Sequence, residues 1–153
     1  MTTRRLNLLH AAKSLCDDFA KKAALDSLLS HFSSSATAFE HGDTHFAPFI
    51  GRQFDGLEGI TEYFGYLQKY LTYSDMTFSE YTVDEDENKV SVKGKAKFIW
   101  LATSVAWSEV FTYTLDFGDE KGQLKVTRYQ VWADTGALYF ARLGRRLEDI
   151  SLE

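Results

Sequence analysis

Near Thr72 the spacing of apolar residues changes from helical to alternating, and no other feature restricts the fold of this chain as strongly. Before that point apolar residues recur at three and four; after it they recur at two. A chain patterned in this way buries both kinds of face by laying helices on a sheet, which places it in the α+β class. The alternating half begins with Met76 to Val83 and turns at Asp84-Glu85-Asp86-Glu87-Asn88, read as a solvated hairpin tip. The next strand sets Val90, Val92, Ala96, Phe98 and Trp100 on one face, with Ser91, Lys93, Lys95 and Lys97 on the other. A third strand alternates Val105, Trp107, Glu109, Phe111, Tyr113, Leu115 and Phe117 against polar and small residues. After the turn Asp119 to Gly122, a last strand over Leu124 to Ala133 leads through Asp134-Thr135-Gly136 into Ala137 to Leu143, a short helix or extension.

In the first half, Leu6, Leu9, Cys16, Phe19 and Ala23 predict an amphipathic helix from Arg4 to Ala23, with Lys13, Asp17 and Lys21 on its wet face. Leu25, Leu28, Leu29 and Phe32 continue as a short second helix that Ser33-Ser34-Ser35 ends, and Ala36 to His41 reads as a strand entering a loop. A third helix starts at Asp55, where Asp55 and Glu58 suggest a capping box, and carries the stripe Leu57, Ile60, Phe64, Leu67 and Leu71. Pro48, the only proline, belongs to the loop before it. The 153 residues are expected to form one domain, with 1–3 and 146–153 as loose ends.

The net charge of −5 argues against a nucleic-acid partner, because phosphate binding needs clustered Lys and Arg. No stretch has the length of a membrane span and Met1 to Leu9 lacks the apolar core of a signal peptide, so the default address is cytoplasmic with no membrane partner. The single Cys16 has no internal disulfide partner and falls within a helical pattern. Aromatic residues make up 15% of the chain, enough to line a pocket as well as pack a core.

Glu109 breaks the binary pattern, since it shares the apolar face with Trp107 and Phe111. A carboxylate there needs a partner and has a raised pKa, as a general acid or base does; a hydrogen-bonded core strut is the other reading. Tyr113 points to the same side and could donate to a substrate carbonyl or enolate. Glu40 and His41 point to opposite faces, and the pattern around them leaves open which one faces inward. His41 and His45 flank a turn rather than a helical face, so no metal site is expected. Asp134 could act as a base at a pocket mouth or cap the following segment. Phosphate-loop, nucleophile-elbow and paired-cysteine motifs do not occur, and no cofactor is expected.

The element order resembles the NTF2-like superfamily, in particular its SnoaL-like and ketosteroid-isomerase-like branch. That resemblance is carried by Leu25 to Phe32 before Ala36-Thr37-Ala38-Phe39-Glu40-His41, by Phe54 to Ile60 leading into Tyr63-Phe64, and by Tyr129-Gln130-Val131-Trp132-Ala133-Asp134. It implies a cone-shaped α+β barrel in which N-terminal helices pack on a strongly curved antiparallel sheet around an apolar pocket. It also implies a homodimer formed through the outer sheet face. By resemblance Glu40 falls where the isomerases have their carboxylate base, Tyr113 near their oxyanion donor, and Asp134 where SnoaL-like cyclases have a carboxylate. The isomerases' Tyr in the first helix has no match, since that helix contains none. Trp100, Trp107, Trp132, Tyr63, Phe98 and Phe111 are the aromatic side chains expected to line the pocket. Two functions follow as expectations. One is a cofactor-free isomerase, cyclase or dehydratase acting on a small apolar carbonyl compound, with Glu40 as base, Tyr113 as donor and Glu109 as a second acid. The other is a non-catalytic ligand-binding or dimerisation module whose cone is partly filled by side chains.

Overall fold

A computed structural model describes residues 1–153. Its elements are α1 (Thr3–Ala20), α2 (Leu25–Leu29), β1 (Phe32–His41), β2 (Gln53–Asp55), α3 (Gly56–Tyr70), β3 (Leu71–Asp84), β4 (Lys89–Trp100), β5 (Val105–Glu120), β6 (Gln123–Trp132), α4 (Thr135–Arg142) and a 3-10 turn at Leu147–Asp149. The alternating half forms the meander its pattern predicts, with all four strands antiparallel in sequence order. The full order is β2-β1-β6-β5-β4-β3. β2 and β3 are therefore free edges, and the curved sheet under N-terminal helices that the resemblance implied is present as an open surface, not closed into a barrel.

The sheet is also mixed rather than wholly antiparallel, because β1 lies parallel to β6 and antiparallel to β2. β1 begins at Phe32, so the Ser33-Ser34-Ser35 run that suggested a break lies within the strand. The pairing slips there, between Phe32 and Thr37, and the strand absorbs the irregularity as a bulge. β3 slips twice, near Asp75 and Glu80, and both residues have positive φ. Bulges of this kind bend a strand and increase its twist, so the slips in β1 and β3 help turn the sheet into a concave surface.

Three local expectations change. The buried stripe of α1 is Leu8, Ala12, Leu15, Cys16 and Phe19, whereas Leu6 is exposed. Leu8 and Leu15 complete a regular face with Ala12 and Phe19, and the spacing built on Leu6 selected the neighbouring side of the helix. Asp55 precedes α3 but makes no capping bond; its Oδ1 accepts from Gln53 Nε2 at 2.9 Å. The third concerns α3, which buries Ile60, Tyr63 and Phe64 against β1, while Leu57 faces outward. α1 lies over β3, so the two long helices cover different parts of the concave face and leave space between them. No helix is long and apolar enough to cross a membrane.

Candidate functional site

Sheet register assembles the site. Glu40 pairs across to Val131, Val131 to Tyr113, and Tyr113 to Val92, so four adjacent strands present one row of side chains to the concave face. Glu109 lies on the same face of β5, beyond the last pair that β5 makes with β6, Thr112 with Trp132. With β4 on one side and no strand on the β6 side, its carboxylate reaches the chain leaving β6. Glu109 Oε2 accepts from the Asp134 backbone N–H at 2.5 Å and Oε1 accepts from Trp107 Nε1 at 3.3 Å.

These groups face a cavity of about 500 Å³. Its floor and walls include Glu40, Glu109, Tyr63, Tyr113, Tyr129 and Trp107, with Phe98, Phe111, Met76 and Val131 beside them. Small side chains explain part of the space. Gly94 and Ala96 occupy inner positions of β4, and a Cβ at Gly94 would meet the Phe111 ring at 2.1 Å. The ring thus lies over Gly94, at the wall of the cavity. A volume of this size falls in the range of small-molecule sites.

Both carboxyls are almost wholly removed from water, at 6% exposure for Glu40 and 8% for Glu109. Burial pushes the Glu40 carboxyl up from an ordinary 4.5 to about 8; the Tyr63 hydroxyl, donating to Oε2 at 3.0 Å, opposes that rise, and the nearby Glu109 adds to it. Burial likewise raises Glu109 to about 7, against the pull of the Asp134 N–H and the Trp107 indole. An N–H can only donate, so both contacts favour the ionised form of Glu109. Burial also raises the phenols of Tyr63, Tyr113 and Tyr129 well above the usual tyrosine range. The rings of Tyr113 and Tyr129 lie 5.0 Å apart and those of Tyr129 and Tyr63 5.9 Å apart. Their hydroxyls influence one another's ionisation, yet only the Tyr63 link to Glu40 has full hydrogen-bond geometry, so the three form a row of neighbouring phenols rather than a bonded chain.

The candidates named from the sequence separate into two groups. Glu40, Glu109, Tyr113, Tyr63, Trp107, Phe98 and Phe111 come together at the cavity. His41, the neighbour of Glu40, lies on the opposite face, stacked on Trp132 at 4.2 Å with Nε2 2.9 Å from Gln130 Oε1. Trp132 is 43% exposed on the outer face and does not line the pocket, a correction that strand alternation explains: Tyr129 and Val131 point inward, so Trp132 points out. Trp100 is buried but packs on Tyr70 outside the cavity. Asp134 is exposed and caps α4, accepting from the Ala137 N–H at 3.0 Å; its backbone, not its carboxylate, serves the site. Tyr129 was not singled out from the sequence, although the parity it shares with Val131 marks it as inward-facing.

Neither the known family models nor the curated proteins contain a match to this sequence. Solved structures do. TerC crystallised with polyporic acid aligns with a TM-score of 0.71 at 17% identity, over 87% of this chain and 95% of TerC. An NTF2-like protein of unknown function from Burkholderia pseudomallei aligns with a TM-score of 0.71 at 10% identity, over 86% of this chain and 94% of that one. A ketosteroid isomerase-like protein from Erwinia carotovora atroseptica gives a TM-score of 0.67 at 12% identity, over 87% and 98% respectively. The fold of this chain is therefore the NTF2-like fold.

Proposed function

We propose that this chain binds a small apolar carbonyl compound in the concave cavity and moves a proton on it by carboxylate acid–base chemistry, as a cofactor-independent isomerase or related lyase. The observation that carries this reading is the pair of buried carboxyls on one apolar wall, Glu109 near 7 and Glu40 near 8. Two carboxyls that ionise at different pH close to neutrality can serve as base and acid together. Glu109 is the base in this reading. Its two N–H donors favour the anion, whereas Glu40 has a single phenol donor and is the last to lose its proton. This exchanges the roles expected from the resemblance, in which Glu40 held the base position.

In the step itself, the Glu109 carboxylate takes a proton from the carbon beside the carbonyl, and the C–H electron pair becomes the enolate. Protonated Glu40 and the Tyr113 hydroxyl, both at the cavity surface, donate to the enolate oxygen as its charge develops. Return of the same proton from Glu109 to a different carbon completes an isomerisation with no net change in atoms or electrons. The apolar walls exclude water and strengthen each of these interactions. Support from likeness is limited to the fold, which a protein described as ketosteroid isomerase-like also has.

The test is turnover of β,γ-unsaturated ketones, steroidal and bicyclic, followed by the absorbance of the conjugated product. Glu109→Gln is expected to lower kcat by about 10²- to 10⁴-fold, the usual contribution of a positioned general base. Wild-type protein that binds these ketones without turning them over, or Glu109→Gln with undiminished kcat, contradicts the reading.

A further inference from the structure

Besides its tyrosines, the cavity is lined by five polar side chains, and they separate by depth. Glu40 and Glu109 are buried at the floor, whereas Lys22 and Gln68 are exposed and Thr72 is half-buried. The last three belong to the residues just after α1, the end of α3 and the start of β3, and these segments form the rim. Lys22 is the only cation lining the cavity.

Its placement is defined by more than proximity. Lys22 has φ 55°, in the left-handed region that few non-glycine residues occupy, and its N–H donates to the Phe19 carbonyl at 3.1 Å. The ammonium sits 4.9 Å from the centre of the Tyr73 ring, and the Tyr73 hydroxyl is anchored on the same Phe19 carbonyl at 2.6 Å. Lys21 next to it pairs with Asp18 at 3.1 Å, yet Lys22 has no carboxylate within ion-pair distance, in a chain whose net charge is −5. An ammonium held over an aromatic face at a cavity rim, without a protein counter-ion, is a ready partner for an anion. The floor is the opposite environment: Glu40 and Glu109 are buried there among apolar side chains and no cation accompanies them, so a ligand carboxylate finds no counter-ion at that end.

We propose that the ligand is an apolar carboxylic acid, or a molecule with an equivalent anionic end, whose apolar body fills the cavity and whose anion pairs with Lys22 at the rim. The polarity of the cavity then sets the ligand's direction: body first, with the reacting carbonyl toward Glu109 and Glu40 and the anion toward Lys22. This rests on the reading that the cavity binds small molecules and adds the substrate class and its orientation.

Isothermal titration at pH 7 and low salt with 2-naphthoate and its methyl ester tests it. The two probes share one apolar body and differ in charge. Wild type is expected to bind the acid about five-fold more tightly than the ester, the scale of a partly exposed ion pair. Salt at about 0.5 M is expected to erase most of that preference by screening. Lys22→Gln abolishes the preference, Lys22→Arg retains it, and Lys21→Gln, which removes an equal charge one residue away, leaves it intact. Ester binding with no preference for the acid, a preference insensitive to salt, or an equal loss in Lys21→Gln overturns the proposal and leaves the cavity reading standing. Failure of both probes to bind contradicts the cavity reading and this proposal together.

Discussion

A carboxyl pointing into an apolar cavity is held by its few donors, and the consequence is measurable in the folding equilibrium. Glu40 and Glu109 release their protons at about 8 and about 7 in the fold, against an ordinary 4.5. Between those values the folded chain retains protons that the unfolded chain has lost. Stability from these groups is complete below about pH 4.5 and falls as pH rises through the folded values. Urea denaturation of wild type is therefore expected to show stability declining from pH 5 to pH 8.5. Glu40→Gln, neutral throughout and able to accept from Tyr63, should show a distinctly shallower decline and higher stability than wild type at pH 8.5. Parallel profiles for the two would place Glu40 in contact with water. Glu109 was legible in the sequence because an acidic residue between Trp107 and Phe111 violates a regular alternation. Glu40 was marked only by the family resemblance and not by the alternation, since Ala36, Ala38 and Phe39 leave the inward parity of β1 undecided. What settles it is tertiary: the parallel register with β6 and the Tyr63 hydroxyl.

Among the elements, β4 gives the Phe111 ring its seat beside the cavity. It presents Val92, Gly94 and Ala96 in succession on its inner face, and Phe111 of β5 lies across the gap left by Gly94. Gly94→Ala places a methyl group within the Phe111 ring's present position, where the nearest ring atom is at 2.1 Å. The ring must then swing toward the cavity. The expected result is a loss of about 1–3 kcal/mol in stability, as for other overpacked cores, together with weaker binding of naphthoate. Unchanged binding would show that the Phe111 ring does not border the ligand. β5 runs three residues past its expected end at Phe117, because Asp119 and Glu120, expected in a turn, pair with Leu124 and Gln123, but β4 was readable almost to the residue, and so was the Asp84 to Asn88 turn between β3 and β4. The short edge strand β2 was not, because three residues, Gln53 to Asp55, carry no period of their own and form only by pairing with β1. Nor was the parallel β1–β6 pair, which depends on where a distant strand returns. Leu8 and Leu15 show a different limit: the first helix carries apolar residues on two adjacent sides, and packing against β3 selects one.

For the whole molecule, helices in the first half and a sheet in the second follow from the change of period near Thr72, but the space between them does not. Alternation states which face of a sheet is interior and says nothing about whether that interior is filled. Bulges in β1 and β3, the small inner residues of β4, and separate seats for α1 and α3 together leave a cavity of about 500 Å³. Six inward aromatic side chains were expected at this site; four line it, while Trp100 packs elsewhere and Trp132 faces outward. In the proposed function, Glu109 exchanges protons with a carbon acid bound there. Deuterium incorporation at the α-carbon of 2-tetralone in D2O, followed by NMR at neutral pD, measures that exchange without requiring the natural substrate. Exchange well above the buffer rate with wild type, reduced by about 10²-fold or more in Glu109→Gln, is the predicted result. Incorporation at the buffer rate, or equally fast in both proteins, would contradict it.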